Sequence, residues 1–506
     1  MTAKASIIEN NFPIIIVGTG FSGIAMAVML QRAGINSYTL LEKAEDIGGT
    51  WRDNTYPGAA CDVPSHLYSF SFEPKTDWSR AFSPQQEIKS YLDHCVDKYQ
   101  IREKIRFGCE VTGATFNESQ GLWTVSFKEK GKTKKLLARA FILGNGALST
   151  PADPDIKGLK NFKGDMFHSA RWNHDVDLAG KKVAVVGTGA SAIQIVPEIA
   201  KTVGQLTLFQ RTAPWVLPKP DRYMTAVEKR LFALVPSSRW LHRAYIYWRN
   251  EAVATGFVVD PRLMKGLEFI GRLYLRHVVK DTVLREKLAP KFTIGCKRIL
   301  MSNTYYQALT QANAHVITDG IDAITAKGIK TRDGVEHEVD AIVLATGFMV
   351  TNYLSRLTIK GLQGADLNTT MTEQREHYLG ITVADFPNMF LMMGPNTGLG
   401  HNSMVFMIEA QARYIVQCIQ AIRDKQLNYL DVRKNVQAEY SQDIQQRLQK
   451  SVWASGCQSW YLSADGHNGA AWPGFTWQYW LATRRLDLNA YHQVYAAVSD
   501  VEVVTA

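Results

Sequence analysis

The 506-residue sequence lacks several features that would assign it to a class at once. No stretch comes near the roughly 18 consecutive apolar residues of a membrane-spanning helix, so none is predicted. Residues 1–11 show no charged start followed by an apolar core, so no secretory signal is indicated. The six cysteines form no Cys-x-x-Cys pair and no cluster with histidine at zinc spacing. We therefore expect a cytoplasmic protein without a metal site, in which most cysteines are packed, reduced thiols.

The charge of the chain is moderate and excludes little by itself. The net charge is +10, and a content of 46% hydrophobic and 21% charged residues is normal for a soluble globular protein. Nucleic acid, anionic lipid and anionic cofactors would all suit a basic surface. A solvated basic surface is the simpler interpretation, and no nucleic-acid partner is predicted. The length allows two or three domains of ordinary size.

What the chain does contain is two glycine-rich loops, each placed between an apolar run and a helical pattern. The first phosphate loop, residues 18–23, comprises Gly18, Thr19, Gly20, Phe21, Ser22 and Gly23, and the second, residues 187–192, comprises Gly187, Thr188, Gly189, Ala190, Ser191 and Ala192. In a βαβ unit such glycines allow a tight turn and a close backbone approach, and the helix N-terminus then faces a pyrophosphate. An ordinary strand-to-helix turn is the alternative, but two complete units make it the weaker one.

The two loops are followed, at the same distance, by residues of opposite charge. Glu42 and Arg211 each lie 24 residues after the first glycine of their loop. At the end of the second strand a carboxylate accepts hydrogen bonds from free ribose hydroxyls, whereas a guanidinium attracts a 2′-phosphate. The first site, with Lys43 beside Glu42, is predicted to bind a plain ADP-ribose, as in FAD or NAD. The second site, with Thr212 beside Arg211, is predicted to bind NADP.

The sequence pattern predicts an α/β protein with two Rossmann-like dinucleotide-binding domains, the second inserted in the first. Strands are predicted over residues 13–17, 37–42, 182–186 and 206–210, with helices over 21–33 and 190–202. The buried runs 141–150 and 341–348 both contain glycine, and we interpret them as the two crossings between the domains. The predicted division is an FAD-binding domain over 1–150 and 345–506 (with the C-terminal region), an NADP-binding domain over 151–220 and 291–344, and a helical insertion over 221–290.

Within the predicted helical insertion, apolar residues recur at helical spacing among basic ones. One stripe comprises Trp240, Leu241, Ala244, Tyr245 and Trp248, and another comprises Leu263, Leu267, Ile270 and Tyr274. A basic amphipathic helix of this kind can lie on a membrane surface. A core stripe beneath a solvated basic face is the more common arrangement, so burial of the stripes is expected and peripheral membrane contact is the less favoured alternative.

Several further motifs together indicate a family. They are Gly48-Gly49-Thr50-Trp51, Tyr56-Pro57-Gly58, Cys61-Asp62, Phe162-x-Gly164-x-x-x-His168-x-x-x-Trp172, Lys297-Arg298, Ala345-Thr346-Gly347 and Trp460-Tyr461. With the two loops, these motifs resemble those of the type I Baeyer–Villiger monooxygenases, a branch of the class B flavoprotein monooxygenases, over nearly the whole chain. The resemblance implies FAD and NADPH as cofactors and a ketone and O2 as substrates. In such enzymes the reduced flavin traps O2 as a peroxide, which attacks the ketone and yields an ester or lactone.

The resemblance also implies roles for individual residues. Arg298 matches the active-site arginine that stabilises the peroxyflavin and the ketone adduct, and Asp62 is expected to orient it. Lys297 is expected to join Arg211 on the 2′-phosphate of NADP. The other expected cofactor contacts are Gly49, Thr50, Trp51 and Tyr56 near the flavin, Ser191 and Gln194 on nucleotide phosphates (with helix capping as the alternative), Thr346 and Gly347 at the second crossing, and Trp460 closing over NADP. Residues 397–404 and 472–480 are expected to shape the substrate pocket.

The fingerprint residues Phe162, Gly164, His168 and Trp172 are expected to act on conformation and not in chemistry. A histidine in a motif suggests proton transfer, but the resemblance places His168 in the linker between domains. Residue 173 is Asn where the family usually has Pro or Asp, which keeps oxygenation of sulfur or nitrogen as an alternative activity. Paired dinucleotide sites would also suit a flavin-dependent NADPH reductase or a non-catalytic redox sensor, although the missing Cys-x-x-Cys argues against a flavin disulfide reductase.

Overall fold

The structure, a computed structural model, describes residues 12–350, 354–457, 459, 461–463 and 465–495. Its framework is two five-stranded parallel sheets. Across the first sheet the strands are Met389–Leu391, Ala140–Leu143, Ile14–Val17, Tyr38–Leu41 and Ile105–Arg106. Across the second sheet they are Ala314–Ile317, Gln205–Phe209, Lys182–Val186, Ala341–Leu344 and Asp165–His168. The central strands are continuous apolar runs because both faces of a parallel sheet are covered.

The first βαβ unit forms where the sequence predicts it. The strand Ile14–Val17 is buried along its length, and the helix Phe21–Arg32 begins inside the first phosphate loop. The strand Tyr38–Leu41 pairs in parallel with the first strand and is one residue shorter at each end than predicted. Gly34 follows the helix with a φ of +72°, a backbone conformation that glycine adopts without strain.

The second βαβ unit repeats this geometry. The strand Lys182–Val186 has the predicted bounds, and Gln205–Phe209 lies one residue earlier than predicted. The helix Ala190–Ile199 ends before the predicted residue 202. Its last turn tightens there, because the amide of Thr202 donates to the carbonyl oxygen of Ile199, three residues earlier, at 3.0 Å.

The two crossings between the domains run side by side. The hydroxyl of Thr346 donates to the carbonyl oxygen of Ala152 at 2.7 Å, and the amide of Ala152 donates to the carbonyl oxygen of Gly347 at 2.9 Å. All strands of the second sheet lie between Ala152 and Thr346 in sequence, and Met389–Leu391 then returns to the first sheet. The second dinucleotide-binding domain is therefore inserted in the first, which confirms the predicted fold class.

Smaller sheets and additional helices complete the fold. One small sheet pairs Val216–Leu217 with Leu300–Met301, and another pairs Leu427–Val432 with Tyr491–Tyr495. A third sheet contains Ile321–Ile324, Gly328–Thr331 and Glu336–Glu338. A fourth contains, from one edge to the other, Thr358–Lys360, Cys109–Asn117, Leu122–Glu129 and Lys132–Ala138. The remaining α-helices are Thr50–Asp53, Gln85–Lys98, Ala226–Leu234, Pro236–Val258, Met264–Val278, Thr282–Lys287, Tyr305–Leu309, Leu367–Thr369, Met404–Asp424, Lys434–Gln449 and Thr476–Thr483. Single turns of 3-10 or π helix lie at Arg102–Lys104, Leu159–Asn161, Ser169–Arg171, Pro261–Leu263, Leu362–Gly364, Thr370–Gln374, Val452–Ala454 and Leu488–Ala490.

The helical insertion contradicts the expected burial of its apolar stripes. The residues of the first stripe that are exposed are Trp240, Leu241, Tyr245 and Trp248. Other residues of the same helix, Ile246, Ala254 and Phe257, fill the core on its inner side, so the predicted stripe points away from the core. The second stripe is divided, with Leu267 and Tyr274 packed against the core and Leu263 and Ile270 exposed.

Most of the cysteines are reduced, as expected, but one pair is bonded. Cys296 and Cys457 form a disulfide, with their Cα atoms 6.2 Å apart, and they lie 161 positions apart in sequence. No local motif could reveal this pair, because only the packing of the C-terminal region against the second dinucleotide-binding domain brings the two residues together. Cys61, Cys95, Cys109 and Cys418 are buried free thiols, as expected.

Among the residues that the structure describes, no helix combines the length and the apolar character needed to cross a bilayer.

Candidate active site and cofactor sites

A cavity of about 1510 Å³ is lined by segments of both dinucleotide-binding domains. Its wall combines residues of the second phosphate loop, the 50–63 segment, the Lys297-Arg298 pair and the 393–404 segment. Parallel sheets bind ligands beyond the carboxyl ends of their strands, where Val186 and Phe209 line this cavity. The volume exceeds that of a typical single-ligand pocket of about 300–1,000 Å³, so it offers room for a substrate and part of a cofactor.

The first phosphate loop is shaped by close backbone contacts. A Cβ atom on Gly23 would lie 2.0 Å from the carbonyl oxygen of Gly18, so only glycine fits there. Gly49 packs on Gly20, because a Cβ atom on Gly49 would meet the Gly20 Cα at 3.4 Å. Ser22 is buried, and Phe21 packs edge-on against aromatic rings at about 5 Å. This arrangement gives a backbone surface at a helix N-terminus, as pyrophosphate binding requires.

Glu42 is buried at the end of the second strand and accepts four hydrogen bonds. The donors are the amide of Thr19 (3.0 Å), the hydroxyl of Thr19 (2.7 Å), the amide of Ala44 (3.0 Å) and the guanidinium of Arg52 (2.9 Å). The carboxylate is thereby fixed beside the first phosphate loop. Lys43, also predicted to contact the cofactor, is exposed. Within the described chain neither these residues nor the first loop lines the large cavity, whereas Thr50 and Trp51 do.

The second phosphate loop opens directly into the cavity. Residues 187–191 line it, and a Cβ atom on Gly187 would meet the carbonyl oxygen of Ala345 at 2.4 Å. Ala192 is buried at the position of the third glycine. The hydroxyl of Thr188 donates to the carbonyl oxygen of Thr212 at 2.9 Å, which joins the loop to the segment that carries Arg211.

Arg211 and Lys297 form a pair of like charges on the wall of this cavity. Arg211 is exposed, and the Lys297 ammonium lies 5.0 Å from the centre of the Phe292 ring. Burial and the positive charge of Arg211 lower the pKa of Lys297. Two cations that repel each other are the arrangement expected for an anion site, since a bound phosphate relieves the repulsion. The structure therefore brings together the two residues predicted for the 2′-phosphate.

Arg298 and Asp62 form an ion pair at the cavity wall. The guanidinium donates to one carboxylate oxygen, Oδ2, from Nε at 2.9 Å and from Nη2 at 2.5 Å. The charge of Asp62 raises the pKa of Arg298 despite the cost of burial. Burial would raise the pKa of Asp62, but Arg298 and Lys219 hold it below its usual value. Both groups are therefore charged near neutral pH.

Sequence reasoning missed two neighbours of this ion pair. Lys219 donates to the carbonyl oxygen of Cys61 at 3.2 Å and adds positive charge beside Asp62. Tyr461, noted only as part of a late motif, is fully buried and interacts with Arg298. No local pattern marks Lys219, because it lies 157 residues from Asp62 and only the fold brings them together. Trp460, predicted to close over NADP, lies outside the described residues.

Tyr56 connects the two dinucleotide-binding domains. Its hydroxyl donates to Oε1 of Gln194 at 2.9 Å, and Nε2 of Gln194 donates to the carbonyl oxygen of Ala60 at 2.9 Å. Ser191 also interacts with the Tyr56 hydroxyl. Neither Ser191 nor Gln194 caps the helix, whose N-cap is Gly189 without a side-chain hydrogen bond. These amide and hydroxyl groups therefore hold the 56–60 segment against the second dinucleotide-binding domain.

The fingerprint residues lie at the edge of the second sheet and near the crossings. His168 ends the edge strand, accepts a hydrogen bond from the amide of Ala170 at 3.1 Å on Nδ1, and packs 6.0 Å from the Phe348 ring. Trp172 packs edge-on against Phe167 at 5.0 Å. A Cβ atom on Gly164 would meet the Asp340 carbonyl oxygen at 2.3 Å and the Phe162 ring at 2.7 Å. None of the four fingerprint residues lines the cavity in the described structure.

Of the two segments that were predicted to shape the substrate pocket, one lines the cavity. Thr397, Leu399, Asn402 and Met404 line it, as expected for residues 397–404. Residues 472–480 do not line it among the described residues, so their predicted role in the pocket is wrong. Trp472 and Tyr479 are instead buried in an aromatic core, because the helix Thr476–Thr483 packs behind the cavity wall.

Comparison with known proteins agrees with this geometry. A family model described as flavin-binding monooxygenase-like matches residues 12–227. A Baeyer–Villiger monooxygenase of Pseudomonas aeruginosa is 47% identical over 484 residues, which cover 95% of this chain and 91% of the relative. A Baeyer–Villiger monooxygenase of Streptomyces coelicolor is 42% identical over 501 residues, which cover 98% of this chain and 95% of the relative.

Solved structures share the whole fold. A steroid monooxygenase bound to NADP has a TM-score of 0.86 and 28% identity, covering 96% of this chain and 99% of that one. OTEMO in complex with FAD and NADP has a TM-score of 0.86 and 26% identity, covering 96% of this chain and 100% of that one. A closed structure of cyclohexanone monooxygenase has a TM-score of 0.86 and 26% identity, covering 96% of this chain and 99% of that one. This chain belongs to the Baeyer–Villiger monooxygenases, flavoproteins that use FAD, NADPH and O2 to insert one oxygen atom beside a ketone carbonyl.

Proposed function

We propose that Arg298 is the catalytic cation of this monooxygenase and that Asp62 is its positioning residue. The observation that carries the proposal is the ion pair at the cavity wall, in which both hydrogen bonds end on Asp62 Oδ2. These bonds use Nε and Nη2, so Nη1 is outside this pair. A fixed cation at this position stabilises negative charge that develops on a reacting oxygen, because it needs no reorganisation during the reaction.

The residues present fit the two cofactors. The first phosphate loop supplies a backbone surface at a helix N-terminus, and Glu42 is fixed beside it, which suits FAD. The second loop with Arg211 and Lys297 suits NADPH, since the two cations match a 2′-phosphate. When bound, these cofactors supply the hydride and the activated oxygen. The chain binds and orients them, and Trp51 and Tyr56 form an aromatic wall of the cavity.

The substrate class that fits this cavity is a ketone with an apolar body. Leu399 and Met404 line the wall together with Arg298, so an apolar ketone can bury its hydrocarbon part while its carbonyl oxygen faces the cation. The expected product is an ester from an open-chain ketone and a lactone from a cyclic one.

A variant series tests the role of Arg298. Arg298→Ala is expected to lower the rate of ester formation about 100- to 1,000-fold without loss of bound flavin. Asp62→Asn is expected to have a smaller effect, because it keeps the side-chain volume and weakens only the orientation of the guanidinium. The measurements are product formation by gas chromatography and flavin content by absorbance.

Arg375→Ala provides a matched control. Arg375 also lines the cavity and forms an Arg–Asp pair, with Asp465 at 2.5 Å, but Asp465 is 57% exposed whereas Asp62 is 29% exposed. Its removal is expected to change ester formation by no more than about twofold. Equal losses in the Arg298 and Arg375 variants would show that the Arg298 pair has no special role.

The reaction class is tested by product analysis with cyclohexanone, an open-chain methyl ketone and an organic sulfide under isotopically labelled O2. An ester or lactone that carries one labelled oxygen atom supports the proposal. Turnover of the sulfide with no product from any ketone contradicts the ketone assignment and favours heteroatom oxygenation. NADPH oxidation that yields only hydrogen peroxide with all three substrates contradicts both.

A further inference from the structure

The helical insertion carries most of the large hydrophobic side chains that are exposed in the described chain, between residues 223 and 283. In the helix Pro236–Val258, Trp240 is 67% exposed and Trp248 is 60% exposed. Leu241 and Tyr245 are also exposed, and their spacing places all four on one side of the helix. A contiguous apolar surface of this kind usually marks a binding site.

The preceding helix adds exposed leucines beside this helix. The helix Ala226–Leu234 packs against Pro236–Val258 and exposes Leu231 and Leu234. We call the six residues together the aromatic helix face, comprising Leu231, Leu234, Trp240, Leu241, Tyr245 and Trp248. The helix Met264–Val278 also combines apolar with basic residues and exposes Phe269 and Leu273.

Basic side chains accompany the aromatic helix face without acidic partners. They are Lys229, Arg230, Arg239, Arg249, Lys265 and Arg276. In the described part of the chain none of these six forms an ion pair. The acidic residues of the two helices that carry the face are engaged elsewhere: Glu228 pairs with Arg222, and Glu251 is buried. These two helices therefore present aromatic and aliphatic side chains among basic residues that no acidic residue of the same helices pairs with.

The combination of exposed aromatic side chains with basic ones favours a lipid surface over a protein partner. Tryptophan and tyrosine prefer the boundary between headgroups and acyl chains, and arginine and lysine attract anionic headgroups. Association of two copies through this face about a twofold axis would bring like charges together. The interior of a protein interface is also depleted in lysine and in charge generally.

We propose that the aromatic helix face binds peripherally to an anionic lipid surface, with Trp240 and Trp248 at the level of the headgroups. The insertion would then lie on the membrane, and no spanning helix is required. The face is separate from the catalytic site, because none of its six residues is among the described residues that line the cavity.

The test is flotation of the FAD-loaded enzyme with vesicles of equal parts phosphatidylcholine and phosphatidylglycerol, compared with vesicles of phosphatidylcholine alone. The wild-type enzyme is expected to float with the anionic vesicles, and high salt is expected to weaken but not abolish this binding. Trp240→Ser/Trp248→Ser should lower the partition coefficient about tenfold or more. Arg239→Gln/Arg249→Gln should lower it about tenfold on anionic vesicles only.

The matched control is Leu137→Ser/Tyr495→Ser, which removes two exposed hydrophobic side chains on strands outside the insertion. The control should bind vesicles like the wild type, and all variants should keep wild-type flavin content and ketone turnover in vesicle-free solution. The proposal is overturned if the wild type ignores anionic vesicles or if the tryptophan variant binds them fully. It is also overturned if sedimentation shows a dimer that only the tryptophan variant loses while vesicles bind none of the proteins.

Discussion

The two phosphate loops follow one backbone plan, but their charged partners are held in opposite ways. Glu42 is 4% exposed and accepts four hydrogen bonds from neighbouring protein groups, one of them from Arg52. Arg211 is exposed on the cavity wall, and its positive charge, together with burial of the lysine, lowers the pKa of Lys297. The charged partner of the first loop is therefore buried and hydrogen-bonded within the protein. The charged partner of the second loop is exposed and lies near a second positive charge.

This difference corresponds to two kinds of cofactor binding. A rigid, buried loop suits a cofactor that stays in the protein, because its hydrogen-bond geometry is fixed in advance. An exposed pair of cations suits a nucleotide that must bind and leave, because its affinity comes mainly from a phosphate that solvent can reach. We infer that FAD remains bound through many cycles while NADP exchanges.

The largest effect is expected from a methyl group in the first loop. Gly23→Ala places a Cβ atom 2.0 Å from the carbonyl oxygen of Gly18, which forces the helix away from the loop. Flavin content by absorbance should fall to near zero. Gly266→Ala is the control, since nothing lies within 4 Å of its Cβ position and its helix should tolerate alanine. Normal flavin content in Gly23→Ala would show that the first loop is not rigid.

The charge of the second site is expected to select between nucleotides. Arg211→Ala should lower kcat/KM for NADPH about 10- to 100-fold, because it removes a charge-assisted contact to the 2′-phosphate. The value for NADH should not change. Lys291→Ala is a control, because this exposed lysine precedes Lys297 but does not line the cavity in the described structure. Equal losses for the two nucleotides would contradict the phosphate assignment.

A smaller effect is expected in the pH dependence of NADPH binding. Protonated Lys297 attracts the phosphate, so affinity should fall as the pH rises through the pKa of this lysine. Burial and Arg211 lower that pKa, so the fall should begin at a lower pH than for an ordinary lysine. In Arg211→Ala the fall should shift to higher pH. Measurement of the NADPH KM against pH in both proteins checks the sign, and a shift to lower pH would contradict it.

The smallest effect is expected at the third glycine position of the second loop. Ala192→Gly should cost about 1 kcal/mol of unfolding free energy, because glycine is the poorer helix former. Flavin content should be unchanged and the KM for NADPH should stay within about twofold. The thermal unfolding midpoint and steady-state kinetics test this. A loss as large as that of Gly23→Ala would contradict this expectation, because removal of the Ala192 methyl group introduces no clash.

The sequence alone identified the dinucleotide units because their signals are local. Glycines, apolar runs and the residue that ends the second strand lie within one βαβ unit, where chain geometry fixes their separation. The insertion of one domain in the other was also predictable, since the runs 141–150 and 341–348 carry similar apolar and glycine patterns. The Arg298–Asp62 pair required the family resemblance, because these residues are 236 positions apart.

The tertiary structure decided what depends on contacts between distant segments. The proximity of Lys219 to Asp62, the bridge from Tyr56 to Gln194 and the Cys296–Cys457 disulfide each join parts of the chain with no local signal. The orientation of the helix Pro236–Val258 was wrongly predicted because periodicity shows that a stripe exists and not which way it faces. Local spacing thus determined the two cofactor sites, and long-range packing determined the catalytic pair, the linkage of the domains and the exposed helical surface.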